Sequence, residues 1–149
     1  MITSTASHRD FFKNLAAELG LHFVYGASER ILMGQLGDIE YPCLWLGKPR
    51  VRLVRDGGLH RRFEGEFWIL DNADADDFAG QDSKLDATFL VTEQVLQKMQ
   101  AGADTNQFIF DMADAASDPK DKWSGDNCVG WVTDYHLTGA ACETVECCT

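Results

Sequence analysis

The sequence predicts an α+β fold, a mainly antiparallel sheet with a long β-hairpin, packed by two main helices. Two segments repeat apolar residues at helical spacing, while several others are short and apolar or alternate between apolar and polar residues. An Asp-Gly-Gly turn joins two of the alternating segments. With 149 residues, of which 45% are hydrophobic, the chain is expected to form a single domain over residues 1–149.

The first helix is predicted from His8 to Leu19. Ser7 and Asp10 match a capping box, with Ser7 as the N-cap. Apolar residues then recur at helical spacing up to Leu19. Gly20 suits the position just after a helix, because glycine readily adopts the left-handed conformation that ends it.

Two short strands are predicted next, at His22 to Tyr25 and at Tyr41 to Gly47. The second reads YPCLWLG, an apolar run with proline near its start, and is expected to be buried. Between them, the segment from Ala27 to Leu36 fits either a helical turn or an irregular stretch, since Gly34 and Gly37 weaken a helix.

A long hairpin is predicted on both sides of Asp56-Gly57-Gly58. Residues 50–54 and 62–69 alternate between apolar and charged or aromatic side chains, which indicates one apolar and one charged face. If the loop has an odd number of residues, Val51 faces Phe63 and Arg50 faces Glu64. Such opposite-charge pairs across strands contribute roughly 0.2–1 kcal/mol.

The second helix is predicted from Lys84 to Ala101, with Ser83 and Asp86 as its capping box. Its expected buried stripe is Leu85, Phe89, Thr92, Leu96 and Met99, and Gly102 is its expected stop.

Two strands and a polar loop follow the second helix. Phe108, Phe110 and Met112 alternate as in a strand, and residues 113–127 are polar and contain Pro119, which predicts a loop. The last strand is predicted from Cys128 to Thr138, followed by a C-terminal tail over residues 139–149.

Charge is distributed unevenly along the chain. The formal net charge is −11, but residues 48–62 contain six basic residues and one acid, for a net +5. Residues 63–149 contain 18 acids and four bases, for a net −14. A basic segment within an acidic chain can attract a second copy of that chain. The net charge argues against nucleic-acid and anionic-membrane partners, because both would repel an acidic protein.

The five cysteines are Cys43, Cys128, Cys142, Cys147 and Cys148. Their odd number and the absence of a secretory pattern favour reduced thiols in a cytoplasm. The cluster at the C-terminus lacks the spacing of a zinc site, so no metal and no cofactor is expected. Known nucleophile, phosphate-loop and metalloprotease motifs are also missing from the sequence, so an enzyme is not expected.

Tryptophans and acids leave three further possibilities open. Trp68, on the charged face of the hairpin, and Trp123, in the polar segment, are candidates for a partner surface. A pocket near Trp131, Asp134 and His136 would indicate a small ligand-binding protein or enzyme. The acidic residues 71–82 could instead bind a basic partner.

The order of the elements resembles that of tail terminator or tail-completion proteins of tailed phages, and of allied neck proteins. The resemblance rests on the opening helix, the YPCLWLG strand, the long charged hairpin, the central helix and the Gly130-Trp131 pair in the last strand. It covers most of residues 8–138. It implies a structural protein without enzymatic activity that is assembled in the host cytoplasm and resides in the virion.

The resemblance also implies a homo-oligomeric ring, often a hexamer, with the tail tube protein and the head-side connector as partners. A ring needs two different complementary patches on each subunit. The basic hairpin and the acidic stretch are the candidate pair. The residues expected at the subunit interface are Arg50, Arg52, Arg55, Arg61, Arg62, Glu64, Glu66 and Trp68.

Overall fold

A computed structural model describes residues 2–26, 39–55, 58–73, 77–123 and 128–139, which contain two α-helices and seven strands. In chain order the elements are α1 (Thr5–Glu18), β1 (His22–Tyr25), β2 (Cys43–Leu46), β3 (Arg50–Arg55), β4 (Leu59–Asn72), α2 (Phe78–Asp104), β5 (Phe108–Ile109), a 3₁₀ turn (Met112–Asp114), β6 (Ala116–Trp123) and β7 (Cys128–Gly139). The predicted α+β class, with two helices and a mostly antiparallel sheet, is confirmed.

The strands form one sheet in the order β1-β2-β4-β7-β5, in which β3 also pairs with β4 and β6 also pairs with β7. Residues 62–64 of β4 pair with both β3 and β7, so these two strands lie on opposite sides of β4. Likewise, β4 and β6 flank β7. The two long central strands, β4 and β7, are therefore bordered by β2 and β3 on one side and by β5 and β6 on the other.

The structure decides the hairpin register, and it is the one expected for a loop with an odd number of residues. Val51 pairs with Phe63 and Arg50 pairs with Glu64. The apolar face predicted for β3 is not covered by the core, because five of its six residues are exposed and Val54 is only half-buried. The strand β3, in which apolar and charged side chains alternate, therefore projects away from the core.

Both helices pack on one face of the sheet, and this face contains the main core. The core joins Phe12 and Leu15 of α1 and Val95 and Met99 of α2 to alternate residues of the strands. The strand residues in this core are Leu44, Leu46, Phe63, Phe67, Ile69, Tyr135 and Leu137. Burial of these side chains on folding stabilises the domain by about 1.5–3 kcal/mol for each large apolar residue.

The opposite face of the sheet carries a smaller cluster of buried residues. Trp45 and Trp68 pair across β2 and β4, with ring centroids 4.9 Å apart. Cys43, Leu70, Cys128 and Val132 complete the cluster. This second cluster explains why the YPCLWLG strand is buried on both faces, as its continuous apolar run predicts.

The start of α1 differs from the sequence prediction, whereas its end agrees with it. Ser4, rather than Ser7, is the N-cap, and its hydroxyl accepts a hydrogen bond from the amide of Ser7. Ser7 completes the capping box by accepting from the amide of Ser4 at 2.9 Å. Gly20 has a φ of 69° and follows the last turn, as expected.

The start of α2 was predicted too late, and its buried stripe is shifted. Asp77 is the N-cap, so Ser83 and Asp86 lie within the helix and the predicted capping box is wrong. The sequence pattern could not separate the two starts, because both offer an acceptor side chain before a helical segment. The buried residues are Gln81, Thr88, Thr92, Val95, Met99 and Gly102, whereas Phe89 is 37% exposed.

Removing the cap of α2 should distinguish these two starts. Asp77→Ala is expected to lower the free energy of unfolding by about 1 kcal/mol, because the amide of Gly80 loses its acceptor at 2.9 Å. Ser83→Ala should change it by less than about 0.5 kcal/mol, since Ser83 is an exposed residue within the helix. Urea denaturation of the two variants measures the difference, and an equal loss in both would contradict the assigned start.

The segment after α2 holds the largest error of the sequence prediction. The strand predicted over Phe108 to Met112 ends at Ile109, and Met112 begins the 3₁₀ turn. The predicted loop at 113–127 is wrong, because Ala116–Trp123 form β6. Pro119 is tolerated there because β6 borders only β7 among the described strands, and an edge strand has spare amide positions.

The last strand begins at Cys128 as predicted and ends at Gly139. The C-terminal tail was predicted from residue 139, but Gly139 is still part of the strand. Residues 140–149, with Cys142, Cys147 and Cys148, lie outside the described residues, as does the ambiguous segment from Ala27 to Leu36.

Candidate functional site

The basic segment of the sequence forms a projecting hairpin, made of β3 and the first half of β4. Arg50, Arg52 and Arg55 are all exposed on β3. A strand that carries arginines at these positions can stay exposed to water, because its charged side chains remain hydrated. The structure therefore presents three of the eight predicted interface residues to solvent.

The same hairpin also exposes several apolar side chains. Val51 is 42% exposed, Leu53 is 63% exposed and Leu59 is 47% exposed. Strand alternation places Val51, Leu53 and Arg55 on one face of β3, and Arg55 pairs with Leu59 of β4. We call these four residues the tip face. Its combination of apolar groups and a cation is typical of a protein interface.

Arg61 and Arg62, two further predicted interface residues, are half-buried and contact their own chain. The guanidinium of Arg61 donates to the carbonyl of Thr3 at 2.7 Å, which anchors the N-terminal segment. Arg62 Nε lies 3.3 Å from Glu64 Oε1, and Arg52 Nε lies 3.5 Å from the same oxygen. Glu64 thus joins two strands of the hairpin, so the structure brings Arg52, Arg62 and Glu64 together.

Glu66 and Trp68 also make contacts within the chain. Trp68 is only 7% exposed, and its indole donates to Glu66 Oε1 at 3.2 Å. The ammonium of Lys120 lies 5.8 Å from the centre of the Trp68 ring, at the distance of a cation–π contact. Trp68, a candidate for a partner surface, is therefore buried, because Trp45 and Lys120 cover it. The side chain of Trp123 lies outside the described part of the chain.

A charged cleft of about 890 Å³ lies on the sheet face opposite the helices. The walls of the cleft include Arg50 and Arg52 of β3 and Arg62 of β4. They also include Asp134 and His136 of β7. Trp131 is on the other face, where its indole donates to the carbonyl of Leu85 at 2.9 Å. The three residues of the expected ligand pocket are thus divided between two faces of β7.

A groove of about 750 Å³ lies between α2 and the segment that follows β5. Leu96, Phe110 and Met112 contribute apolar surface, and Met112 is 45% exposed. Glu93 and Asp111 contribute carboxylates. We call this the acidic groove. Gln100 fixes its shape, since its carboxamide donates to the carbonyl of Phe110 at 3.3 Å and accepts from the amide of Met112 at 3.0 Å.

Among the described residues, three buried groups have a clearly shifted pKa. Burial lowers the pKa of His8 to about 4, and its Nε2 lies 2.7 Å from the hydroxyl of Tyr135. Burial also raises the pKa of Tyr135 well above its ordinary value. The pKa of Cys43 is raised to about 12, first by burial and then by the neighbouring Cys128 and Asp71. A thiol with so high a pKa is a poor nucleophile at neutral pH.

Within the described ranges, no group of three or more His, Cys, Asp or Glu side chains is arranged to hold a metal ion. Neither described helix combines the length and the apolar character that crossing a membrane requires. Comparison with protein-family models, curated proteins and solved structures finds no significant match to this chain. The candidate surfaces are therefore defined by the geometry alone.

Proposed function

We propose that this chain is a structural virion protein of a tailed bacteriophage, similar to a tail terminator or completion protein. Its copies form a ring, with six subunits as the first expectation, that joins the tail tube to the head-side connector. It acts in the virion after assembly in the host cytoplasm, and it acts without catalysis, cofactor or metal.

The single observation that carries this proposal is the projecting hairpin with its tip face. Leu53, at 63% exposure, has no structural reason to be apolar in an isolated chain, because a polar residue would solvate better there. Covering Val51, Leu53 and Leu59 with a neighbouring subunit would remove this apolar surface from water. Arg55, on the same face, would then direct the contact towards an acidic surface.

The charge of the rest of the chain supports the same proposal. Residues 63–149 carry a net −14, so each subunit offers acidic surface for a neighbour's hairpin. Acidic surface that faced the channel of a ring would also prevent passing DNA from adhering, because phosphates are repelled.

The variant Arg55→Glu tests the role of the tip face. The wild-type chain is expected to form rings at low salt, and the variant is expected to remain monomeric, because like charges would then face each other. Native mass spectrometry and negative-stain electron microscopy measure the subunit number. Moderate salt should weaken the wild-type ring, since exposed charge pairs are screened.

Arg9→Glu is the matched control, because Arg9 is an exposed arginine on α1 that forms an ion pair with Asp10 of the same helix. This control should assemble as the wild type does. Each protein is measured with and without the tail tube protein, since a terminator can require its tube for assembly. A wild-type chain that stays monomeric in every condition would refute the ring, and the charged cleft would then become the leading candidate site for a small ligand.

A further inference from the structure

The tip face and the acidic groove lie at opposite edges of the sheet. The hairpin strand β3 borders β4, whereas the groove is built by α2 and the segment between β5 and β6, which border the far side of β7. The two central strands separate the surfaces. A hairpin therefore does not reach the groove of its own chain, and a contact between the two surfaces must join different copies.

The chemistry of the two surfaces is complementary. The tip face presents Leu53 and Leu59 beside the guanidinium of Arg55. The groove presents Met112, which is 45% exposed, and the half-buried Leu96 beside the carboxylates of Glu93 and Asp111. Asp111 already accepts from the amide of Ala113 at 2.9 Å, so its carboxylate is held at the rim of the groove. Apolar groups can thus meet apolar groups while opposite charges pair at the rim.

The volume and the fixed shape of the groove also suit this occupant. Two leucine side chains and part of a guanidinium fit within about 750 Å³. Because Gln100 holds the chain at Phe110 and Met112, the groove is preformed and binding would require little reordering.

We propose that the acidic groove is the docking site for the tip face of a second copy of this chain. Leu53 and Leu59 enter the groove against Leu96 and Met112, and Arg55 pairs with Glu93. The contact is head to tail, so each subunit uses its hairpin on one neighbour and its groove on the other. This inference rests on the proposed ring and assigns the surface that receives the hairpin.

Two complementary variants test the docking. Leu53→Glu disables the tip face and leaves the groove intact, whereas Met112→Arg disables the groove and leaves the tip face intact. Each variant alone should assemble at least about 30-fold more weakly than the wild type, the effect of losing an interface hot spot. Mixed in equal amounts, the two should form a dimer, because one intact tip face and one intact groove remain between them.

Leu90→Arg is the matched control for the groove variant, since Leu90 is 61% exposed on α2 outside the groove. It should form rings normally, and circular dichroism should show all three variants folded. The docking is overturned if Met112→Arg assembles like the wild type, or if the mixture yields no dimer. If Leu53→Glu blocks assembly while Met112→Arg does not, the ring stands and only the groove is wrong. A wild-type chain that never assembles refutes both proposals.

Discussion

Gly130→Ala should lower the free energy of unfolding by at least about 3 kcal/mol, the upper end for overpacking a well-packed site. Gly130 lies in β7 opposite Leu70 of β4. A Cβ atom added there would overlap the carbonyl oxygen of Ile69 and would come within 2.9 Å of its carbonyl carbon. Both atoms belong to the backbone of the neighbouring strand, so no side-chain rotation relieves the clash. The two central strands of the sheet would have to separate locally.

Gly47→Ala is the matched control for this effect. A Cβ atom at Gly47 would lie 3.6 Å from the carbonyl oxygen of Glu66, which is an ordinary contact distance. Its unfolding free energy should stay within about 1 kcal/mol of the wild type. Thermal denaturation followed by circular dichroism should therefore show Gly130→Ala melting roughly 10 °C lower and Gly47→Ala melting near the wild type. Equal melting temperatures for the two variants would contradict the close approach of β4 and β7.

His8 should make the stability of the domain depend on pH between about 6.5 and 4. The imidazole is fully buried, stacks on Phe63 with ring centroids 5.4 Å apart, and contacts Phe12 and Tyr135. Burial lowers its pKa from 6.5 to about 4. Because the folded pKa lies below the unfolded one, the unfolded chain binds the proton more readily in this range. The pKa difference of His8 adds about 3 kcal/mol to the free energy of unfolding above pH 6.5. This stabilisation is lost as the pH falls towards 4.

The double variant His8→Phe/Tyr135→Phe isolates this contribution. It removes the ionisable ring and its hydroxyl partner together, so neither polar group is left unpaired in the core. Its unfolding free energy should be close to the wild type at pH 7.5. Between pH 6.5 and 4 it should fall by about 3 kcal/mol less than that of the wild type. Urea denaturation at a series of pH values provides the comparison, and parallel curves would show that His8 does not cause the dependence.

The sequence predicted best where a local signal and a pairing rule agreed. The hairpin itself followed from the Asp-Gly-Gly turn and from the two-residue period of strands, and β3 does pair with β4. The end of α1 followed from Gly20, because few other residues accept its backbone conformation. Both signals act over a few residues, so they are readable without tertiary context.

The errors arose where a distant partner decided the structure. Residues 116–123 are polar and contain Pro119, yet β7 provides hydrogen bonds that make them a strand. Trp68 shares its strand face with Glu64 and Glu66, yet Trp45 and Lys120 from other strands cover it. No pattern within either segment reports these partners.

The candidate interface shows the same division. The basic character of residues 48–62 is readable from composition, and it placed Arg50, Arg52 and Arg55 correctly on an exposed strand. The exposure of Val51, Leu53 and Leu59 was not predicted, because alternation looks the same whether or not a helix covers the strand.

The sequence by itself therefore determined the α+β class, the presence of the hairpin and the internal separation of charge, whereas the tertiary structure decided the hairpin register. The features that the sequence determined depend on periodicity, turn chemistry and composition, which are local properties. Only the tertiary structure decided which apolar residues stay exposed and that the acidic groove lies at the opposite sheet edge from the hairpin. The burial of each strand residue depends on where the two helices pack on the sheet. That position is set by contacts between residues far apart in the chain.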